Sequence, residues 1–293
     1  MRSAGWCCAA FCLALFATPS ASQDRAVLVE DYRFGNFIAA SHLELDPFGS
    51  IYVTDAETHT ISKFAADGGL LGITGGKGWE LNSFDHPAGI DARLGMVVYV
   101  ADRENHRVVR LDRDLHALGS FTTKGVPSTT TAFGLPLDVV TTSMGELLLL
   151  DGENQRVAST TGFAKVERSF GGVESGEGRL REPVAMARLD NDRLAVLERG
   201  RICFFDPFGN YLFAGAYKTF EDAKGIACHK DRVAVVTASE LHVFKADGTP
   251  EHSFTRNRFV FAGETAAFQD VALTDGRIYI LTANSVLVFT FTH

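Results

Sequence analysis

Six short segments of one pattern recur along the chain and limit what it can fold into. They are YVTD (52–55), YVAD (99–102), LLLD (148–151), AVLE (195–198), AVVT (234–237) and YILT (279–282). The intervals between their last residues are 47, 49, 47, 39 and 45. A strand-rich unit of that size cannot bury its apolar faces alone, and a period in the forties marks units stacked around an axis as a propeller.

Each copy has the same internal order. A short apolar strand comes first, as in AGID (88–91), VAMA (184–187), KGIA (224–227) and DVAL (270–273). A turn, the recurring segment, a polar turn and a third strand follow, then a further turn and a fourth strand. Runs of four to six Val, Ile, Leu, Phe and Tyr cut by Gly, Asp and Pro read as strands, and helical periodicity is absent over any useful length. The last copy ends the chain on its third strand, whereas AVLVEDYRF (26–34) belongs to no copy. Pairing that segment into the last blade closes the ring and removes exposed strand edges. The expected fold is all-β, a six-bladed β-propeller, with blades over 38–79, 80–125, 126–178, 179–221, 222–266, and 267–293 completed by 26–36.

The first residues are of another kind. Arg2, an apolar run from Trp6 to Ala17 and the small residues TPSAS form the pattern of a secretory signal peptide, expected over 1–22. That run is shorter than the ~20 residues a membrane span needs, and no later stretch qualifies. Cleavage after Ser22 removes one Arg and no acid, so the formal charge goes from -8 to -9. An acidic exported chain without a basic run is a poor partner for nucleic acid or anionic membrane. The expected location is periplasmic or secreted, and the expected state a monomer. Cys203 and Cys228 then remain, either as two buried thiols or as one bridge.

YVADRENHRVVRLD (99–112), GGKGWELNSFDHPAGI (75–90) and FGGVESGEGRLREPVAM (170–186) together resemble NHL repeats, a family named for an Asn-His-Leu-like triplet where this chain has Asn105-His106-Arg107. The resemblance is strong in the second copy, good in the first and third, and faded in the rest. It implies a six-bladed propeller and no single activity, since the scaffold hosts binders and enzymes alike.

The Asp ending YVAD recurs as Asp55, Asp102, Asp151 and, by substitution, Glu198, and gives way to Thr237 and Thr282 where the turn shortens. Acids carried to separate places around a ring are expected to be structural, accepting N–H groups of the following turn. His106 and Arg107 are expected near the surface of that turn.

Chemistry is sought instead at the axis. Counting back from the YVAD acid aligns His42, Gly89, Asp138, Ala185, Gly225 and Asp270, followed two residues later by Glu44, Asp91, Val140, Ala187, Ala227 and Ala272. The repeat pattern wants Gly or Ala at these crowded positions. His42, Glu44, Asp91, Asp138 and Asp270 depart from it and place ionisable groups where each needs a partner. Two readings stand. The groups ring a polar ligand or a hard cation such as calcium, with His42, Asp138 and Asp270 as the metal candidates. Alternatively, the acids cap strand N–H groups or pair with Arg93, Arg181 or Lys224. Entrance loops add Lys77, Trp79, His86, Arg181 and Glu182 as candidate ligand contacts, with Trp79 either a stacking platform or a plug. No Gly-x-Ser-x-Gly, His-Glu-x-x-His or P-loop is present. The chain therefore reads as a non-catalytic binder of a protein, peptide or glycan, without a required cofactor. The alternative is a metal-dependent lyase or lactonase-type hydrolase working in the channel.

Overall fold

In a computed structural model of the protein, residues 27–126, 131–216, 220–263 and 266–291 are described. The expected leader, 1–22, lies outside them. Six antiparallel sheets form the blades of a six-bladed propeller. The innermost strands are Ala40–Leu45, Pro87–Asp91, Pro136–Thr141, Pro183–Arg188, Gly225–His229 and Phe268–Leu273.

A sheet in a propeller has both faces covered by neighbouring blades, so its middle strands lose the alternation of a half-buried strand. This accounts for the unbroken run Leu147–Leu150, in which every residue is buried. The core is divided into apolar clusters that each bridge two adjacent blades. Ile61 and Phe84 pack with Ile90 and Val109 between the first two blades, and Phe204 with Phe220 and Phe244 between the fourth and fifth.

The ring closes as expected. Strand Leu28–Phe34 runs antiparallel to Val286–Thr290 and becomes the fourth strand of the last blade. A short fifth strand, Phe259–Val260, pairs parallel to its outer side and was not foreseen. It comes from the tail of the fifth copy and covers part of the edge that closure would otherwise leave open. Leu28 is buried, and Tyr32 and Phe34 pack against the cluster between the last and first blades. Deleting residues 24–36 is therefore expected to abolish a single cooperative urea transition; a truncated chain that unfolds at its parent's midpoint contradicts this closure.

Five of the inner strands carry a bulge just before or at the aligned position: Ala40/His42, Pro87/Ile90, Pro136/Asp138, Pro183/Ala185 and Phe268/Asp270. A bulge bends its strand and re-aims a side chain. In three of the five the aligned residue, His42, Asp138 or Asp270, lines the channel at the axis.

Candidate functional site

The turn acids behave as scaffold, and they reach further than the following turn. Asp55 accepts the Glu57 and Thr58 N–H groups and also those of Ile38 and Ala39, in the segment that leads into its own blade. Asp102 accepts from Asp85, Asp151 from Gly134, and Glu198 from Arg181 and Glu182. Each acid thus pins the incoming loop, and Asp55, Asp102 and Asp151 also hold the following turn, through Thr58, Asn105 and Asn154. Where the acid is lost the need persists: the Thr237 hydroxyl accepts the Ser239 and Glu240 N–H groups, and Thr282 accepts that of Ser285.

Arg107 is not at the surface. It is 4% exposed, pairs with Asp102 at 2.7 Å, and donates to the carbonyls of Trp79, Glu80 and Ser83. Arg156 and Arg201 repeat the pairing with Asp151 and Glu198. In all three blades acid and arginine are directly opposed cross-strand partners. His106 has φ 52°, as do His59 (58°) and Gln155 (51°) at the matching positions. The triplet's middle residue therefore serves a left-handed backbone position, which His tolerates better than a branched side chain.

At the axis, His42, Glu44, Asp138 and Asp270 come together around a nearly filled channel with about 20 Å³ of free space, while Asp91 is buried beside it without lining that space. That is room for about one water. Three of the acids tie one blade to the next. Asp270 accepts the Leu43 N–H at 2.9 Å, Asp138 the Met186 N–H at 2.8 Å, and Asp91 both the N–H and the hydroxyl of Thr141. Each bond replaces the ladder partner that an inner strand lacks on its axial side. The glycines of the aligned set make room for this: a Cβ on Gly89 would overlap Asp138, and one on Gly225 would overlap Asp270.

Glu44 pairs with Arg93, and neither Arg181 nor Lys224 pairs with any of the channel acids. Arg93 spans the channel. Its Nε lies 3.4 Å from Glu44, its Nη1 donates to the Arg188 carbonyl at 2.6 Å and its Nη2 to the Cys228 carbonyl at 3.1 Å. One guanidinium so joins the second blade to the first, fourth and fifth.

His42 Nε2 lies 3.7 Å from Asp138 and makes no hydrogen bond. Burial pulls its pKa down, but the carboxylates of Asp270, Asp138 and Glu44 outweigh burial and raise it to about 9. Burial pushes Glu44 up to about 7 against the pull of Arg93, and Asp270 up to about 6 against that of His42. The channel thus holds a protonated imidazole among carboxyl groups, two of them reluctant to ionise.

A second space opens at the end of the channel where the inner strands begin. It is a hollow of about 360 Å³, bordered by Ser41, Ala88, Leu137, Val184, Lys224 and Gln269, with Arg103 at its side and His42 at its floor. Those six residues each stand one position before the aligned set. Position alone would have found them, by stepping back one residue from His42, Gly89, Asp138, Ala185, Gly225 and Asp270. Among the described residues no carboxylate borders the hollow, although the chain carries a net charge of -8.

The expected loop contacts Trp79, His86 and Arg181 do not border it. Trp79 is neither plug nor part of the mouth. It is 51% exposed, with the Arg107 guanidinium at 5.2 Å and the Lys124 ammonium at 5.1 Å from its ring. Arg181 is exposed and contributes its backbone N–H to Glu198. His86 contacts Asp85 in the loop between the first two blades. Cys203 and Cys228 are free buried thiols, which excludes the bridge. Burial pushes both thiols up, Cys228 to about 12.

No protein-family model matches the chain. Among solved structures it is similar to a streptogramin B lyase, at 15% identity and TM-score 0.61 over 86% of this chain and 79% of that one. It is similar to the β-propeller domain of a Myceliophteria thermophila protein, at 9% identity and TM-score 0.58 over 90% of this chain and all of that one. A third likeness is to the extracellular domain of a hybrid two-component system from B. thetaiotaomicron, at 12% identity and TM-score 0.57, covering 85% of this chain and 33% of that one. At such identities the likeness shows the fold alone. No helix among the described residues is long and apolar enough to cross a membrane.

Proposed function

We propose that the chain is an exported, non-catalytic binding propeller of NHL type, which holds a partner protein or peptide at the mouth of its channel through an acidic group on that partner. The observation that carries this reading is the division of labour along the axis. The channel's carboxylates are engaged with strand N–H groups or with Arg93, and the space beside them is about 20 Å³. The open hollow has Lys224 and Arg103 on its border and no acid among the described residues. Cations around a concave, partly apolar surface favour an anionic group there, all the more on a chain that is acidic overall.

A calcium ion in the channel fits poorly. Calcium takes roughly six to eight oxygen ligands. Here Asp138 and Asp270 spend oxygens on backbone N–H groups, and the His42 imidazole offers nitrogen where calcium wants oxygen. A lyase or lactonase reading rests on likeness of fold, and the space of about 20 Å³ beside the channel acids holds a water rather than a substrate.

Panning a random peptide library against the immobilised protein tests the proposal. Enriched peptides are expected to carry a free C-terminal carboxylate or acidic side chains, and Lys224→Glu together with Arg103→Glu is expected to lose them. Enrichment of neutral peptides, or retention by the charge-reversed variant, would reject it.

A further inference from the structure

We infer that the seam between the first two blades carries a binding site for one divalent transition-metal ion of the zinc type, formed by His59, Asp85 and His86. It is separate from the channel and does not depend on what the mouth binds.

His59 lies in the turn between strands Ile51–Asp55 and Thr60–Phe64, and Asp85 and His86 precede the inner strand Pro87–Asp91. Ring closure of neighbouring blades therefore joins groups about 27 residues apart in the chain. Asp85 Oδ1 lies 2.9 Å from His86 Nδ1 and 3.5 Å from His59 Nδ1. One ligand atom from each residue falls within 4.8 Å of the others. Zinc bonds of about 2.0–2.1 Å in a tetrahedron put neighbouring ligand atoms about 3.4 Å apart, so small side-chain shifts suffice. The donor set of two imidazoles and a carboxylate suits zinc and its neighbours and is too nitrogen-rich for calcium.

The backbone holds the cluster in place. The Asp85 N–H is bonded to Asp102, and the His86 N–H donates to His59 Nδ1 at 3.0 Å. That second bond leaves His59 Nδ1 unprotonated, the state a ligand nitrogen needs. An entering ion exchanges this neutral hydrogen bond, worth about 1 kcal/mol net, and the bond from His86 Nδ1–H to Asp85, whose proton it displaces, for coordinate bonds to both rings and the carboxylate. His59 and His86 both take a left-handed backbone, with φ 58° and 51°, and their rings meet edge to face at 5.0 Å. The His86 side chain is 45% exposed, which leaves a path for the ion and for water as a fourth ligand.

Lys77 makes the inference specific. Its ammonium lies 3.8 Å from the same Asp85 oxygen and is largely exposed. It competes with a cation for that carboxylate, so removing its charge strengthens metal binding. A purely hydrogen-bonded latch between blades predicts no such effect.

The untagged full chain, stripped with chelator, is titrated with Zn²⁺ and with Co²⁺, following stoichiometry by equilibrium dialysis and the visible Co²⁺ bands. One ion per chain is expected. His86→Ala should weaken binding at least by the roughly tenfold that loss of even an outer-shell partner costs, and Lys77→Met should strengthen it severalfold. Both positions are exposed enough to leave folding intact, which a urea transition verifies. No saturation at millimolar metal, binding unchanged in His86→Ala, or Lys77→Met binding no tighter than the parent would each overturn the inference.

Discussion

Replacing Arg93 with alanine is expected to lower the unfolding free energy by about 3–5 kcal/mol, the range for removing one partner of a buried ion pair. Two effects add. Glu44 loses its cation in a place where burial already raises its pKa to about 7. The carbonyls of Arg188 and Cys228 lose their side-chain donor on the axis. Arg93→Met separates these effects from packing, since it keeps the apolar stem. It is expected to cost nearly as much as alanine. Adding Glu44→Gln should return part of the loss, because a neutral amide no longer needs the guanidinium. Urea midpoints at neutral pH read all three. An Arg93→Met protein as stable as its parent would show that the blades are held by their apolar seams alone.

Stability is expected to fall as pH rises from 6.5, because of His42. Its folded pKa of about 9 lies above the ordinary value of 6.5. A raised pKa means that the native state holds the proton more tightly. The contribution is therefore complete below pH 6.5 and is lost as pH climbs through 9. The side chain is only 16% exposed, so solvent screening does not erase the effect. Between pH 6.5 and about 8.5 the loss should be on the order of 2 kcal/mol. Glu44 acts in the same direction but earlier, between its ordinary 4.5 and about 7. Stopping near pH 8.5 limits the similar contribution of Cys203 and Cys228, whose thiols begin to ionise in the unfolded chain at about that pH. In His42→Gln most of the slope above pH 7 should be lost, leaving the smaller contributions of Glu44 and the two thiols, while the protein is less stable than its parent at pH 6.5. If the wild-type midpoint is flat over that range, His42 does not carry the charge assigned to it.

Much of this molecule is legible locally. The turn acids Asp55, Asp102, Asp151 and Glu198 were identifiable as scaffold because they recur with the blades. Their reach to the incoming loops was also implicit in the spacing, since each loop lies 16 or 17 residues before its acid. Arg107 was misplaced to the surface because a charged residue in a polar turn is usually solvated. Its recurrence as Arg156 and Arg201, each opening a third strand opposite an acid, was the available signal. The residues at the channel mouth were one step from the aligned set. All but Lys224 escaped notice because Ser, Ala, Leu, Val and Gln carry no chemical alarm, unlike the buried acids beside them. Trp79 and Arg181 drew attention by residue type, and both lie away from the hollow.

The amino-acid sequence by itself determined the number of blades, the place of their turns and the closing strand. Those follow from apolar period and turn chemistry, which act over a few residues and repeat. Only the tertiary structure decided what each channel group touches. Asp270 meets Leu43 across 227 positions, and Arg93 meets the carbonyls of Arg188 and Cys228 across 95 and 135. Such pairings depend on how far each blade is rotated about the axis. That rotation is set by the packing of apolar seams between neighbouring blades, a collective property that no local pattern of residues encodes.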